Sequence, residues 1–275
     1  MLKKAIGRML PYPAIEAGRR VLHLGSRRCE LCGAGVRAFG PSGYGLPVLE
    51  DLHVVGGMRR HHDRCPVCHA TARERLVWFW ISGAGASAEK PLGVISQIAH
   101  FAPEKGLTKR LRKLCPAGYR AYDIDPARYR HLADVEFADL AQLPVESDSC
   151  ELVVCNHVLE HVPDMPLALA ELYRITAPDG VAILQVPIAH RLAATIEMPP
   201  ESSPQEREVA TGQHDHLRLL TEPDYLAHLR QAGFAVERFD AFAAAPDLAE
   251  SWRLDPEERL YLCRKLSNDI GKLDR

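Results

Sequence analysis

Four of the eight cysteines stand in two pairs, Cys29-x2-Cys32 and Cys65-x2-Cys68, with 32 residues between them. Thiolates are soft ligands, and two such pairs can wrap one zinc ion tetrahedrally, each through a single tight turn. Gly33 and Pro66 suit those turns. The spacing therefore predicts a structural zinc held by Cys29, Cys32, Cys65 and Cys68. Reduced cysteines in a small core, or a redox pair, are the competing readings, and the doubling of the motif weighs against both. The intervening stretch is longer than in the commonest zinc ribbons. Its glycine-rich part, Phe39 to Gly45, reads as a loop or short hairpin. His69 could compete as a ligand, but four cysteines make it unnecessary. Cys115, Cys150, Cys155 and Cys263 show no ligand spacing, and Cys155 reads as a small core residue within an apolar run.

Histidines form the second chemical signal. His157 and His161 stand four apart, a spacing that can bind metal from one helix face. No third ligand accompanies them, so they are not read as a metal site. His161 reads as a structural residue at a helix start, oriented by Glu160. Further on, His214-Asp215-His216 leads into Leu217-Arg218. The stretch before it, Glu197 to Thr211, has three prolines and five charged side chains and reads as a mobile insertion. Arg218 is expected to meet an acidic ligand or to pair with Asp215.

These residues need a scaffold. The chain has 275 residues, enough for one large domain or two unequal ones. Apolar residues make up 47% and charged residues 25%, which excludes a fibrous or wholly disordered chain. Net charge is −2, so a generally basic nucleic-acid binder is not indicated. The charge is uneven: residues 1–75 carry +7 and the rest −9. A basic front end can favour an anionic partner, or it can simply face the acidic remainder. No run of 18 apolar residues exists to span a membrane, and the first ten residues lack a signal-peptide core. A cytoplasmic location, where thiols stay reduced, is the expectation.

After Cys68, residues Ala70 to Ser82 predict a helix on the zinc module, with the Trp78-Phe79-Trp80 cluster as core. Ser82 to Ser87 reads as a linker, placing a boundary near residue 88: a zinc module and helix over 1–88, a larger domain over 89–275. From residue 92 strands and helices alternate. Strands are predicted at Val94–Ala99, Tyr119–Ile124, Leu152–Cys155, Val181–Val186, Phe234–Phe239 and Arg259–Arg264. Helices are predicted at Thr108–Leu114, Pro166–Ile175 (closed by the turn Pro178-Asp179-Gly180) and Tyr225–Ala232. This alternation implies an α/β, Rossmann-like, doubly wound and mostly parallel sheet. Ligands of such sheets bind beyond the carboxyl ends of the strands.

Residues 94–265 resemble a class I S-adenosylmethionine-dependent methyltransferase. The likeness is carried by Asp139-Leu140, Leu143-Pro144, the run Cys150 to Asp164 and the turn Ala177 to Gly180. The whole chain resembles a bacterial subgroup that joins Cys65-Pro66-Val67-Cys68 and an Arg-rich helix to such a domain. That subgroup also shows an Ala102-Pro103-Glu104 turn and an Asp215-His216-Leu217-Arg218 segment. The resemblance implies cofactor contacts from His100, Ala102, Glu104, Gly106, Asp123, Ile124, Asp139, Leu140, Asn156 and His157. A carboxylate at a strand end can accept both ribose hydroxyls, which suits Asp123; Asp125 is the near rival or a cap ahead of Pro126. Asp139 matches the residue that meets the adenine amine. Asn156 and His157 match the fourth-strand end beside the sulfonium. The first loop departs from the family pattern of an acidic residue and three spaced glycines, which let backbone approach the cofactor. Only Gly106 survives; Ala102 and Glu104 replace two others, and Glu104 could hold the methionine ammonium.

The resemblance implies methyl transfer to oxygen or nitrogen of a small metabolite, sugar or natural-product intermediate. The alternatives are an RNA methyltransferase gripping phosphates with the basic zinc module, and a degenerate cofactor-binding protein without turnover. A dense Lys/Arg stripe is absent, so a nucleic-acid partner is not expected. A hydroxyl or ammonium acceptor must lose a proton, and histidine is the usual base near neutral pH. His216 is the first choice and His157 the second.

Overall fold

A computed structural model of the chain describes residues 12–85, 92–129, 131–132 and 134–267. Seven strands build its centre: β1 (Ile98–Phe101), β2 (Tyr119–Asp123), β3 (Val135–Phe137), β4 (Cys150–Asn156), β5 (Thr176–Gln185), β6 (Ala235–Phe239) and β7 (Leu260–Arg264). They lie in the order β6-β7-β5-β4-β1-β2-β3. Five are parallel along β5-β4-β1-β2-β3, and β7 runs antiparallel between β5 and β6. The order reverses at β1, so the crevice for a ligand opens above the ends of β1 and β4.

Alternation along the strands decides what covers each face. Leu152 and Val154 of β4, with Ile98, Ala121, Val181 and Ile183, point to one side. Val153 and Cys155, with Ala99, Phe101, Ala182 and Leu184, point to the other. The second face is covered by helices α4 (Met165–Ile175) and α6 (Glu222–Gln231) through Leu169, Leu172, Tyr225 and Leu229. On the first face lie α2 (Ala72–Ile81), α3 (Lys105–Leu114) and the cysteine pairs, in one continuous core. Phe79 and Trp80 are buried there, while Trp78 is only partly so. The cysteine segment thus forms part of the layer that closes the sheet. The interval around residue 88 lies outside the described residues, as does the end of the expected linker.

Several elements differ from the sequence expectation. β1 starts at Ile98 rather than Val94, because the Glu151 carboxylate captures the backbone N–H groups of Ser96 and Gln97 at 3.1 and 2.7 Å. The strand then runs through His100, a polar residue that looks like a strand end but is fully buried. β3 went unread, since a short edge strand with exposed Glu136 and Phe137 has no clear period. Pro178-Asp179-Gly180 is no turn between elements: it is an irregularity inside β5, with Asp179 at φ 61°. Helix α3 begins three residues before Thr108, and α6 three before Tyr225.

The stretch read as a mobile insertion folds. Ile196–Glu197 pairs with Arg218–Leu219, and Pro204–Thr211 forms helix α5. Ser203 and Glu206 close a capping box, Pro204 occupies the first turn, and Gly212 caps the end at φ 84°. Charge content suggested disorder, but the Ser-x-x-Glu signal was present. Among the described residues, no helix is long and apolar enough to cross a membrane.

Candidate active site

The paired cysteines converge. Their four sulfurs lie within 4.8 Å of one another, with Cys29 to Cys68 at 3.8 Å and Cys32 to Cys65 at 3.9 Å. A tetrahedral ion with Zn–S bonds of about 2.3 Å has ligand–ligand edges near these separations. Two matching knuckles hold them: Gly33 N–H donates to Cys29 O (2.7 Å) and His69 N–H to Cys65 O (2.9 Å). Gly33 has φ 70° and His69 φ 66°, so His69 fills the left-handed place that glycine takes in the first knuckle. Its ring turns away to Arg19. The cluster can accept a metal without it.

At the carboxyl ends of β1, β2 and β4 an apolar cavity of about 320 Å³ is lined by Phe101, Tyr122, Asp123, Ile124, Leu140 and Val162. Ala102 and Asp139 also reach it. Asp123 is buried at its rim; Asp125 is exposed. The Asp123 carboxylate accepts Asp125 N–H and the Tyr129 hydroxyl, each at 2.8 Å. Tyr129 was missed, since an aromatic six residues past a strand end carries no signal. Asp139 is exposed and accepts Ala141 N–H at 2.9 Å.

Below this cavity the first loop is held by side chains. Ala102 adopts φ 47° where the family carries glycine, so the backbone keeps the shape without the residue that favours it. His100 Nε2 donates to Glu104 at 2.7 Å, and Asn156 Nδ2 donates to its other oxygen at 3.2 Å. Burial works against the Glu104 charge, but the bond from His100 and the charge of Arg73 outweigh it and hold its pKa low. Asn156 Oδ1 is buried with no partner. Gly106 faces elsewhere: a side chain there would meet Leu31 at 2.7 Å, so its absence lets α3 close on the cysteine module. An apolar slot, a rim carboxylate, an ionised buried carboxylate and an orphaned amide oxygen together fit S-adenosylmethionine. Those are the groups its adenine, ribose and amino-acid ends require.

A second cavity, about 480 Å³, opens between the cysteine segment and the sheet. Arg60, Arg64, Arg73, Glu160, Glu258 and four histidines line it, among others. His161 borders both cavities. His157 lies at φ 53° at the end of β4, and Leu159–His161 is a single 3-10 turn. His157 and His161 therefore do not share a helix face. The fold brings Glu160 and His216 beside them instead. Glu160 Oε1 lies 3.4 Å from His157 Nδ1 and 4.0 Å from His216 Nε2. His216 is buried against the His161 ring, centroids 4.6 Å apart. Burial pushes the His157 pKa well below the ordinary imidazole value and the His216 pKa to about 3. It also pushes Glu160 up to about 8 and Glu258 up to about 7. Arg73 keeps its charge through Glu74, Glu104, Glu258 and Glu160, which outweigh its burial. Arg218 meets neither a cavity nor Asp215. It pairs with Glu197 at 3.0 Å and donates to the carbonyls of Leu159, Val162 and Pro163, fixing the turn that carries Glu160 and His161.

A family profile described as a methyltransferase domain matches residues 2–239. A malonyl-[acyl-carrier protein] O-methyltransferase of Halorhodospira halophila is 41% identical over 88 residues, 29% of each chain, so the chain spans less than a third of that relative. Among solved structures, an S-adenosylmethionine-dependent methyltransferase from Mesorhizobium loti is 20% identical. It covers 67% of this chain and 97% of its own, at TM-score 0.42. A methyltransferase structure from Bacillus halodurans is 17% identical over 66% of this chain and 92% of its own, at TM-score 0.40.

Proposed function

The chain belongs to the methyltransferase-domain family, and on that premise we propose that it uses S-adenosylmethionine and that its acceptor is a small polar molecule. That class comprises a metabolite, sugar or natural-product intermediate methylated on oxygen or nitrogen. One observation carries this reading: an apolar nucleoside-sized slot and a charged cavity of about 480 Å³ meet at His161. The second volume lies in the range of small-molecule sites. The Halorhodospira relative is named for transfer to oxygen, which supports oxygen as the acceptor atom.

In this reading Asp123 accepts the ribose hydroxyls, Asp139 the adenine amine, and Glu104 with Asn156 receives the amino-acid end. The cofactor supplies a methyl group already activated on a sulfonium, so the chain's work is alignment and proton removal. Arg60, Arg64 and Arg73 give the acceptor cavity cations for an anionic substituent. His216 and His157 are the candidate bases; burial keeps both unprotonated but also weakens them as bases, so the bound acceptor must restore their affinity for a proton. The four cysteines hold a structural zinc that fixes the two knuckles to each other, and apolar packing sets them against the sheet. The test is transfer of labelled methyl into a cell extract split into RNA, protein and ultrafiltered metabolites. Label in the ultrafiltrate is expected. Label confined to RNA or to protein overturns the acceptor class.

A further inference from the structure

We propose that Glu160, His161 and His216 form a second metal site, which binds a divalent transition-metal cation where the two cavities meet. One ligand atom from each lies within 4.8 Å of the others. His161 Nε2 and His216 Nε2 each stand 4.0 Å from Glu160 Oε1. All three side chains line the charged cavity.

The polar atoms that point into the site make no hydrogen bond, and the nearest approach is His157 Nδ1, 3.4 Å from Glu160 Oε1. Both oxygens of Glu160 and both nitrogens of His216 are buried without a hydrogen bond, and each residue is 1% exposed. Burying a carboxylate and an imidazole unpaired is costly, and native chains rarely accumulate such groups in one place. A single divalent cation would take the Glu160 carboxylate and one nitrogen of His216, the Nε2 that faces Glu160. The support around the ligands fits as well. His161 Nδ1 faces the carbonyl of Asp215 at 3.1 Å, which leaves Nε2 as the lone-pair nitrogen. Arg218 braces the Leu159–His161 turn from behind through three carbonyls.

Two imidazoles and one carboxylate suit the borderline ion Zn²⁺ best and also bind the harder Mn²⁺, more weakly. Three protein ligands leave a position open, the pattern of a catalytic rather than a structural site. The chemistry follows from that opening and rests on the acceptor reading above. An acceptor hydroxyl bound there would lose its proton more easily. The O–H proton passes to water or to His157, an O–C bond forms as the S–C bond breaks, and that electron pair stays on sulfur. Nothing is oxidised or reduced. His216 is then a ligand, and the base role moves to His157.

The test uses the full chain, treated with chelator until no more than one zinc per chain remains, and titrated with Mn²⁺. Thiolates bind Mn²⁺ poorly, so the cysteine cluster stays out of the count. Electron paramagnetic resonance should show one bound Mn²⁺ per chain, with spin-echo modulation from imidazole nitrogen. Glu160→Gln should weaken binding at least about a hundredfold, the upper end of the cost of losing a supporting outer-shell partner. If that variant fails to fold, His161→Gln, whose ring is 32% exposed, gives the same readout. Native protein that leaves Mn²⁺ free overturns the proposal. So does a folded Glu160→Gln or His161→Gln chain that binds as tightly as the native one. Neither cofactor nor acceptor is needed, so this result is independent of the acceptor class.

Discussion

Arg75 is fully buried at the seam between the cysteine segment and the C-terminal part of the chain, and its removal is the sharpest test of how the two are joined. A guanidinium has five N–H donors, and here all five are used. Nε donates to Trp252 O at 2.9 Å. Nη1 donates to the carbonyls of Asp63 and Ala70, and Nη2 to Asp63 Oδ1 and Arg253 O, between 2.8 and 3.2 Å. Arg75→Met keeps the apolar stem but takes the cation from the buried Asp63 carboxylate and a donor from each of four carbonyls, of which that of Ala70 keeps another, Cys65 N–H at 2.9 Å. Breaking a buried pair from one side costs about 3–5 kcal/mol. For a chain of this size that is a fall in Tm of about 6–20 °C. Urea and thermal unfolding followed by circular dichroism measure it. Arg75→Lys restores the charge with at most three donors, so it should fall between native and Arg75→Met. A loss below about 1 kcal/mol in Arg75→Met would refute the reasoning, since it would mean the network is replaceable by apolar packing.

Asp123→Ala should weaken S-adenosylhomocysteine binding about ten- to hundredfold, the worth of lost charged hydrogen bonds, as read by calorimetry. Unchanged affinity would remove Asp123 from the ribose. Glu258 titrates at about 7 in the fold against an ordinary 4.5, because it is buried. Between those values the folded chain keeps a proton that the unfolded chain has lost, so stability falls as pH rises through that window. Glu258→Gln should therefore exceed native stability at pH 8, by at most about 3 kcal/mol, and match it at pH 4. An equal difference at both pH values would contradict this sign. Cys65→Ser should lower zinc by about one ion per chain in elemental analysis and loosen the N-terminal segment first. Unaltered zinc content would place the metal elsewhere.

Periodicity and motif spacing alone determined a good part of this protein. Alternating apolar strands and amphipathic helices can bury their surfaces in few ways, so the doubly wound sheet was legible from residue 92 onward. The cysteine cluster was legible because a Cys-x2-Cys turn is local and its chemistry demands a partner pair. The sequence favours Asp123 over Asp125 as the carboxylate at a strand end, and the structure sets the two apart by burial, Asp123 buried and Asp125 exposed. Tertiary structure decided what depends on distant segments meeting. His216 and Glu160 are 56 positions apart, and no local pattern shows that β4 and the segment after α5 converge. Arg73 and Arg75 look alike at the start of one helix. Two positions along α2 turn them roughly 200° apart, so Arg73 lines the acceptor cavity while Arg75 is sealed in the core. Glu258 stands beside Asp255 and Glu257 in a charged stretch, yet packing closes over it. Burial, and with it the shifted pKa values of His157, Glu160, His216 and Glu258, is set by what the rest of the chain lays on top of a residue, and that is not written in its neighbours.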